Sequence, residues 1–476
     1  MVCHTVVNRA ENTVLQFILE GAKFAPAMKS LTLFLLLIAS TLLSAQTYSV
    51  LYNLGSKPGD PTWSYMAAII AQSRGGYLFS TTGLGGAYGD GAAYRVTTGG
   101  SLTVLHSFHG GDETNSSSGL TLATDGQYYG TTRVGGDYGY GTIYKMTQSG
   151  VVTTLYSFQG GADGAYPTAP PIESEAGQFY GTTQGQGGTY FGSVYKITKY
   201  GDFTVLHAFT GAEGENPSAP LVQGTDYWFY GVTTYRGTHG DGTIFRVNAN
   251  GDFKVVYNFD GTHGALPVGG LMQANDGNYY AVTFEGGTND VGVVFKMTPE
   301  YVVSVLHNFD DNKDGGFSSA GLVQATDGKL YGVNDSYLFR ISTAGQFKIV
   351  HTFTWTTGVS PYATLIQHTN GLLYGTTVQG GVGNNGKGVV FGVDLGLKPF
   401  VTYLPTYGRA GALVQILGEG FTEDSQIFFN GTPATFKFVY PTYIRATVPE
   451  GATTGPITVT TANGSLTSNK VFIVHP

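Results

Sequence analysis

This chain has one cysteine, Cys3, in 476 residues. Beyond that N-terminal position it has no means to form a disulfide staple, a cysteine-ligated zinc or iron–sulfur site, or a thiol nucleophile. Charge is also scarce: Asp, Glu, Lys and Arg make up 12% of the residues, about half the usual share. The net charge is −8 and no Lys/Arg cluster occurs, which argues against a nucleic-acid partner, because phosphate binding needs a cationic surface. The longest apolar run, Leu31–Leu43, is shorter than the roughly 20 residues that cross a bilayer, so no membrane span is expected. No useful stretch of helical periodicity follows it. The enzyme signatures G-x-S-x-G, H-E-x-x-H and the P-loop are missing as well.

Glycine (72), tyrosine (32) and phenylalanine (29) are abundant. Low charge with many rings gives a chain ample surface to bury, so disorder is not expected. Gly and Pro together account for 90 of 476 residues, and that many turns in a folded chain imply many short strands. "MKSLTLFLLLIASTLLSAQ", starting at Met28, has a positive start, a short apolar core and a small-residue end at Leu43-Ser44-Ala45. It reads as a secretory signal. Residues 1–45 are then an upstream segment plus leader, Met28 is the expected true start, and the expected location is secreted, extracellular or at the cell surface.

A phrase such as "YGTTRVGGDYGYGTIYKMTQSGVVTTLYSF" at 129–158 recurs along the chain. Its closing aromatic returns at Phe108, Phe158, Phe209, Phe259, Phe309 and Phe353, in steps of 50, 51, 50, 50 and 44 residues. The residue that opens "YGTT" returns at Phe79, Tyr129, Tyr180, Tyr230, Tyr280, Tyr331 and Tyr374. A period of this length signals a solenoid or a propeller. Each copy holds four strand-like pieces. In the fifth they are A ("VGGLMQA"), B ("YYAVTF"), C ("VVFKMT") and D ("VVSVLHNF"). Asp-Gly or Asn-Gly between A and B suits a two-residue hairpin. Copy six, "YGVNDSYLFRI", lacks the glycine-rich B–C loop, which predicts a tight hairpin there.

Four antiparallel strands repeated seven times form the pattern of a seven-bladed β-propeller in an all-β chain. The seventh copy stops near Lys398 without a D strand, while "YSVLYNL" at 48–54 is a D strand without a copy of its own. The N-terminal strand is therefore expected to complete the last blade and close the ring, removing the exposed sheet edges. The expected propeller spans 46–397. From 398 to 476 the period breaks, and short alternating strands with Asn430-Gly431 and Asn463-Gly464 turns predict a small immunoglobulin-like β-sandwich.

The phrases "DG-x-x-YGTT", "GG-x-x-G-x-GTIYK" and "TTLYSF" resemble those of the choice-of-anchor GloVer-type (Gloeo_Verruco) tandem-repeat family over about residues 48–396. The C-terminal "G-x-GF" and "VP-x-GA-x-x-G-x-I-x-V" phrases resemble the IPT/TIG domain. The first resemblance implies a secreted, propeller-like bacterial protein and brings no catalytic residues with it. The second implies a spacer or adhesion unit.

Alternating strand directions put the long B–C loops and the D-to-A connections on one face, and the short A–B and C–D turns on the other. Loops carry binding residues more often than turns do. The candidate ligand-binding residues are Tyr88, Asp90, Asp137, Tyr138, Tyr140, Tyr190, Phe191, His239 and Asp241. Rings beside carboxylates suit sugar faces and hydroxyls; the competing expectation is that the rings fold back and pack between blades. Gln72, Glu173, Gln223, Gln273, Gln324 and Gln367 share one slot of strand A. They form either an axial amide ring that holds a polar ligand or a set of bonds between blades. His106, His207, His307 and His351 share a D-strand slot on separate blades, where they are expected to pack and not to bind metal. "DDNKDGG" fits half of a calcium loop through Asp310, Asn312 and Asp314; an ordinary Asp-Gly turn fits it as well. No other cofactor is expected. The sequence favours a monomeric, non-enzymatic binding or adhesion protein for an extracellular glycan or protein ligand. A polysaccharide-acting hydrolase or lyase and a purely structural surface protein are the alternatives.

Overall fold

The computed structural model describes residues 46–63, 69–110, 115–116, 118–174, 176–185, 191–383 and 386–475. The expected leader, Cys3 and Tyr190 lie outside the described residues. Strands dominate what is described, and its one helical element is a 3-10 turn at Gly161–Asp163. No helix among the described residues is long and apolar enough to cross a membrane.

Between Thr47 and Asp394 the strands form seven four-stranded antiparallel sheets. The fourth is representative. Val222–Gln223, Phe229–Thr233, Thr243–Val247 and Phe253–Asn258 follow one another in space as they do in sequence; these are positions A to D. Position A is regular for only two residues in every sheet, shorter than the sequence suggests. The reason is crowding between inner segments. A Cβ on Gly269 would lie 2.7 Å from the Ala320 carbonyl oxygen of the next sheet, so the chain there follows its neighbour instead of its own ladder. Copy six has the expected tight hairpin, with the Asn334 side chain accepting from the amides of Ser336 and Tyr337.

The last sheet joins distant parts of the chain. Thr47–Asn53 pairs antiparallel with Val389–Asp394, with Ser49 opposite Gly392 and Val50 opposite Phe391. It takes position D beside Ile366–Gln367, Leu373–Thr376 and Val389–Asp394.

Each letter of "YGTT" has a physical task. The tyrosine hydroxyl donates to the A–B turn: Tyr230 to Asp226 at 2.7 Å, Tyr280 to Asp276 at 2.6 Å, Tyr331 to Asp327 at 3.0 Å. The glycine makes room for the strand-C aromatic, since a Cβ on Gly231 would lie 2.4 Å from the Phe245 ring. The first threonine reaches the next sheet: Thr182 Oγ1 donates to the Ala219 carbonyl at 3.2 Å. The second pins the start of strand C, as when Thr233 Oγ1 accepts from the Thr243 amide at 3.1 Å.

Aromatic rings bind sheet to sheet. Near the centre, Phe79 stacks on Tyr128, Tyr129 on Phe179, and Tyr180 on Phe229, with centroids 4.4, 3.8 and 3.9 Å apart. The series continues as Tyr280 with Leu330 and Tyr331 with Leu373. Tyr374 of the seventh sheet then packs on Ile70 and Leu78 of the first. Near the rim, the D-strand slot stacks on the next D strand: Tyr156 on Phe203 at 3.9 Å, His207 on Phe253 at 3.6 Å, His307 on Phe347 at 4.0 Å. His351 stacks at 3.8 Å on Tyr48, which comes from the N-terminal strand. Burying each such ring stabilises the array by about 2 kcal/mol.

Residues 402–474 form two four-stranded sheets and a short parallel pair, Tyr407–Gly408 with Ile473–Val474. Val414, Ile416, Phe429, Ile444, Val459 and Phe472 meet in their common core.

Candidate functional site

The B–C loops and D-to-A connections do share a face. Glu215 bridges Tyr235, Ala265 bridges Glu285, and Val359 bridges Gln379. Glycine makes the return into strand C possible: Gly242 has φ 94°, and a Cβ there would sit 2.4 Å from the Thr233 carbonyl oxygen.

The loop tips turn outward. In five of the seven sheets a polar residue at the end of the D strand holds the loop of its own sheet. Ser157 Oγ accepts from the Asp137 amide at 3.4 Å, Asn258 Oδ1 from Thr238 at 2.9 Å, and Asn308 Oδ1 from Thr288 at 2.9 Å. The tips therefore stand over the rim. Tyr88 and Tyr138 are exposed, at 65% and 55%. Tyr88 lies edge-on to His109, with centroids 5.4 Å apart. Asp137 lines a rim hollow with Tyr156 and Ser157, and His239 is exposed. Two of the predicted rings fold back instead. Tyr140 packs against the cluster around Phe158 and Tyr195. Phe191 packs beside Phe209 and lies 4.6 Å below the Arg236 guanidinium. The carboxyl groups of Asp90 and Asp241 are half-buried at the foot of their loops, 3.6 Å from where a Cβ on Gly110 or Gly261 would stand. The predicted residues thus occupy successive stations on one face and do not converge in one pocket among the described residues.

The strand-A amides bond from sheet to sheet. Gln72 donates to Thr369 Oγ1 at 2.6 Å and accepts from the Thr369 amide at 3.0 Å. Glu173 takes both the amide and the hydroxyl of Thr124, at 2.7 and 2.6 Å. Gln273 accepts from Thr225, Gln324 from Asn275, and Gln367 from Thr326; Gln223 is engaged as well. Burial raises the Glu173 carboxyl above the usual carboxylate range.

The A–B turns that carry these bonds meet the C-terminal sandwich. Arg74 donates to the Thr124 carbonyl at 3.1 Å and to Gln415 Oε1, and its guanidinium lies 5.0 Å above the Tyr443 ring. Thr442 Oγ1 donates to the Arg74 carbonyl at 2.7 Å, Asn275 to the Asn469 carbonyl at 2.7 Å, and Thr369 to Glu419 at 2.7 Å. A cleft of about 420 Å³ remains between Thr124, Glu173, Gly177, Tyr407, Gln415 and Arg445.

His106, His207, His307 and His351 sit in their rim stacks, and burial lowers each imidazole below its usual value. In the "DDNKDGG" turn, Asp314 accepts from the Asp310 amide at 2.8 Å and lies 2.9 Å from His307 Nε2. Asp310 accepts from the Asn312 amide at 3.1 Å and pairs with Lys313 at 2.5 Å. Among the described residues no three His, Cys, Asp or Glu side chains are grouped to hold a metal ion.

One element of this face went unread in the sequence. Every repeat holds a non-glycine residue with positive φ in its D-to-A connection: Trp63, Asn115, Tyr166, Asn216, Leu266, Phe317 and Ser360, with φ from 51° to 62°. The proline that follows Tyr166, Asn216, Leu266 and Ser360 was the available signal.

The family model described as the Gloeobacter/Verrucomicrobia repeat matches residues 38–175, 160–337 and 276–416. The IPT/TIG domain matches residues 400–473. No curated protein matches. Among solved structures, a streptogramin B lyase is similar at 15% identity and TM-score 0.53, over 73% of this chain and 97% of its own. The virginiamycin B lyase from Staphylococcus aureus is similar at 12% identity and TM-score 0.51, over 74% and 99%. A fungal alcohol oxidase of the AA5 family, in complex with copper, is similar at 16% identity and TM-score 0.51, over 89% and 100%. At these identities the likeness is one of fold. With seven four-stranded repeat sheets, that fold likeness and the two family matches, the chain belongs to the Gloeobacter/Verrucomicrobia repeat family and carries an IPT/TIG domain at its C-terminal end.

Proposed function

We propose that this chain is a secreted, non-enzymatic binding or adhesion protein. In this reading a seven-bladed propeller, closed by its N-terminal strand, recognises a glycan on the face of the B–C loops and D-to-A connections. Closure is supported by the pairing of Thr47–Asn53 with Val389–Asp394 and by the Tyr48–His351 stack. The functional part rests on one observation. Five exposed aromatics, Trp63, Tyr88, Tyr138, Tyr235 and Trp355, stand on the loop face, against two, Tyr200 and Tyr227, on the face of the short turns, where the A–B turns bond to the IPT/TIG domain. Exposed rings on a hydrogen-bonded scaffold suit the apolar faces of sugars, and nearby amides and carboxylates suit their hydroxyls.

A glycan array probed with the full chain tests this. The expected result is a defined set of bound glycans, with signal falling at least about tenfold in a Tyr88→Ala/Tyr138→Ala/Tyr235→Ala/Trp355→Ala variant. A folded protein that binds no glycan, or binding that survives loss of all four rings, would remove the basis for the reading. Shortening of a bound polysaccharide would favour the hydrolase or lyase alternative.

A further inference from the structure

The seven positive-φ residues hold the same place in the backbone. Six of their amides donate to the B–C loop of the preceding sheet, all but that of Ser360, whose preceding sheet has the tight hairpin: Asn115 to Asp90, Tyr166 to Tyr140, Asn216 to Phe191, Leu266 to Asp241, and Phe317 to Val291, at 2.9–3.0 Å. Trp63 does the same across the join between first and last sheets, donating to Lys387 at 3.2 Å. Five of their carbonyls, those of Asn115, Tyr166, Asn216, Leu266 and Ser360, accept from an amide just past strand B of their own sheet, as Thr234 donates to Asn216 and Phe284 to Leu266. Six of the seven lie seven residues before the strand-A amide slot; Trp63 lies nine before Gln72. Each therefore heads the innermost segment of its sheet. Those segments touch one another, as Ile69 bridges Gly119 and Thr168 Oγ1 reaches the Ser218 carbonyl. The seven positions surround the inner edge of the loop face, inside the outward-turned tips.

A left-handed backbone suits glycine and, less well, asparagine; for Trp, Tyr, Leu and Phe it is strained. This chain has 72 glycines and uses them at most of its other positive-φ sites. At this one it uses none. The side chains that replace them differ from copy to copy, although the backbone bonds repeat. Packing accounts for part of the set, since the Arg133 guanidinium lies 5.2 Å over the Tyr166 ring and Phe317 meets Phe284 at 5.3 Å, but Trp63 is 41% exposed and none of the other six is fully buried. In Asn115 and Asn216 the amide Oδ1 is itself buried and has no hydrogen-bond partner, a polar atom whose cost packing alone does not repay.

We infer that these seven positions are the specificity determinants of the loop face, a ring of side chains on a fixed backbone that selects a neutral oligosaccharide. Trp, Asn, Tyr, Asn, Leu, Phe and Ser carry no charge, so the selected glycan carries none. This inference rests on the glycan-binding reading above and adds the residues that choose among glycans.

The test measures calorimetric binding of cello-, malto-, xylo- and mannohexaose, with oligogalacturonate as the charged control. The wild type should bind one or more of the neutral sugars, with affinity changing less than about twofold between low and high salt. In Trp63→Gly/Tyr166→Gly/Phe317→Gly, relief of backbone strain should hold the melting temperature within about 2 °C while affinity falls at least about tenfold. The exchange variant Asn115→Tyr/Tyr166→Asn keeps both residues on the same backbone and should reorder the preference among the four sugars. It decides the matter if the glycine variant does not fold. Unchanged affinity and order in the variants would overturn the inference and leave the glycan reading standing. So would a melting temperature that drops by more than about 5 °C with binding intact, which marks a packing role. Binding to the charged control alone would overturn the inference but not the broader reading. No binding to any of these sugars or to an array would overturn both.

Discussion

On the A–B side of the array, Asp125, Asp226, Asp276 and Asp327 each accept from the "YGTT" tyrosine four residues on. On the loop side, the residues held in one left-handed backbone position are Trp, Asn, Tyr, Asn, Leu, Phe and Ser. One face repeats both side chains and bond in four of the seven sheets; the other repeats its amide bond at six of seven positions while the side chains vary. The uniform face receives a second domain, which needs a regular surface and a few specific anchors such as Arg74 and Thr369. In the proposed reading structural work falls on one side and recognition on the other, and that division has consequences that can be measured.

The largest expected effect concerns acid. His368, on the A–B side, is 2% exposed, and burial holds its imidazole at about 4. Its Nδ1 accepts from the Asn370 amide at 3.1 Å, and Nε2 lies 3.1 Å from the Gly76 carbonyl oxygen. That pair of bonds needs the neutral ring protonated on Nε2. Above pH ~6.5 the ring is neutral in both folded and unfolded chains. Between ~6.5 and about 4 the unfolded chain takes the proton first, so stability falls as pH falls, by up to ~3 kcal/mol from this residue. The rim histidines are also lowered and add in the same direction. Glu419 opposes it, because burial raises its carboxyl and the folded chain then binds that proton first. Urea midpoints at pH 7 and pH 4.5 should differ, and His368→Gln should remove part of the difference. A flat profile in the wild type would contradict the buried neutral ring.

A smaller effect separates the faces directly. Arg74→Ala removes donors to Thr124 and Gln415 and the contact with the Tyr443 ring, and it should lower stability by about 2 kcal/mol. Tyr138→Ala, at an exposed loop tip, should change it by less than about 0.5 kcal/mol. Chemical denaturation of both variants checks the pair. Equal losses would break the division into a structural and a recognising face.

Much of the fold was legible because the repeat is written in large side chains. Tyr, Phe and Gly return at fixed spacing, and the spare D strand at Thr47–Asn53 could be matched to the copy that lacks one. The candidate site was legible as a face and not as a geometry. The outward turn of the loops depends on Ser157, Asn258 and Asn308, ordinary polar residues whose role appears only once they meet a loop amide. The left-handed positions escaped notice because their residue types differ, and periodic reading looks for sameness. The strand-A amides were visible as a slot, but their partners lie 41 to 49 residues away in neighbouring sheets, or 297 residues away where Gln72 meets Thr369. The anchors of the C-terminal domain belong to no repeat at all.

Both faces exist only if the first strand joins the last sheet. Amide hydrogen exchange across Thr47–Asn53, read by mass spectrometry, tests that join most directly. The account predicts protection equal to that of the other outer strands, such as Phe253–Asn258, released only on global unfolding. Exchange of this segment at the rate of an unfolded peptide, while the other outer strands stay protected, would contradict it.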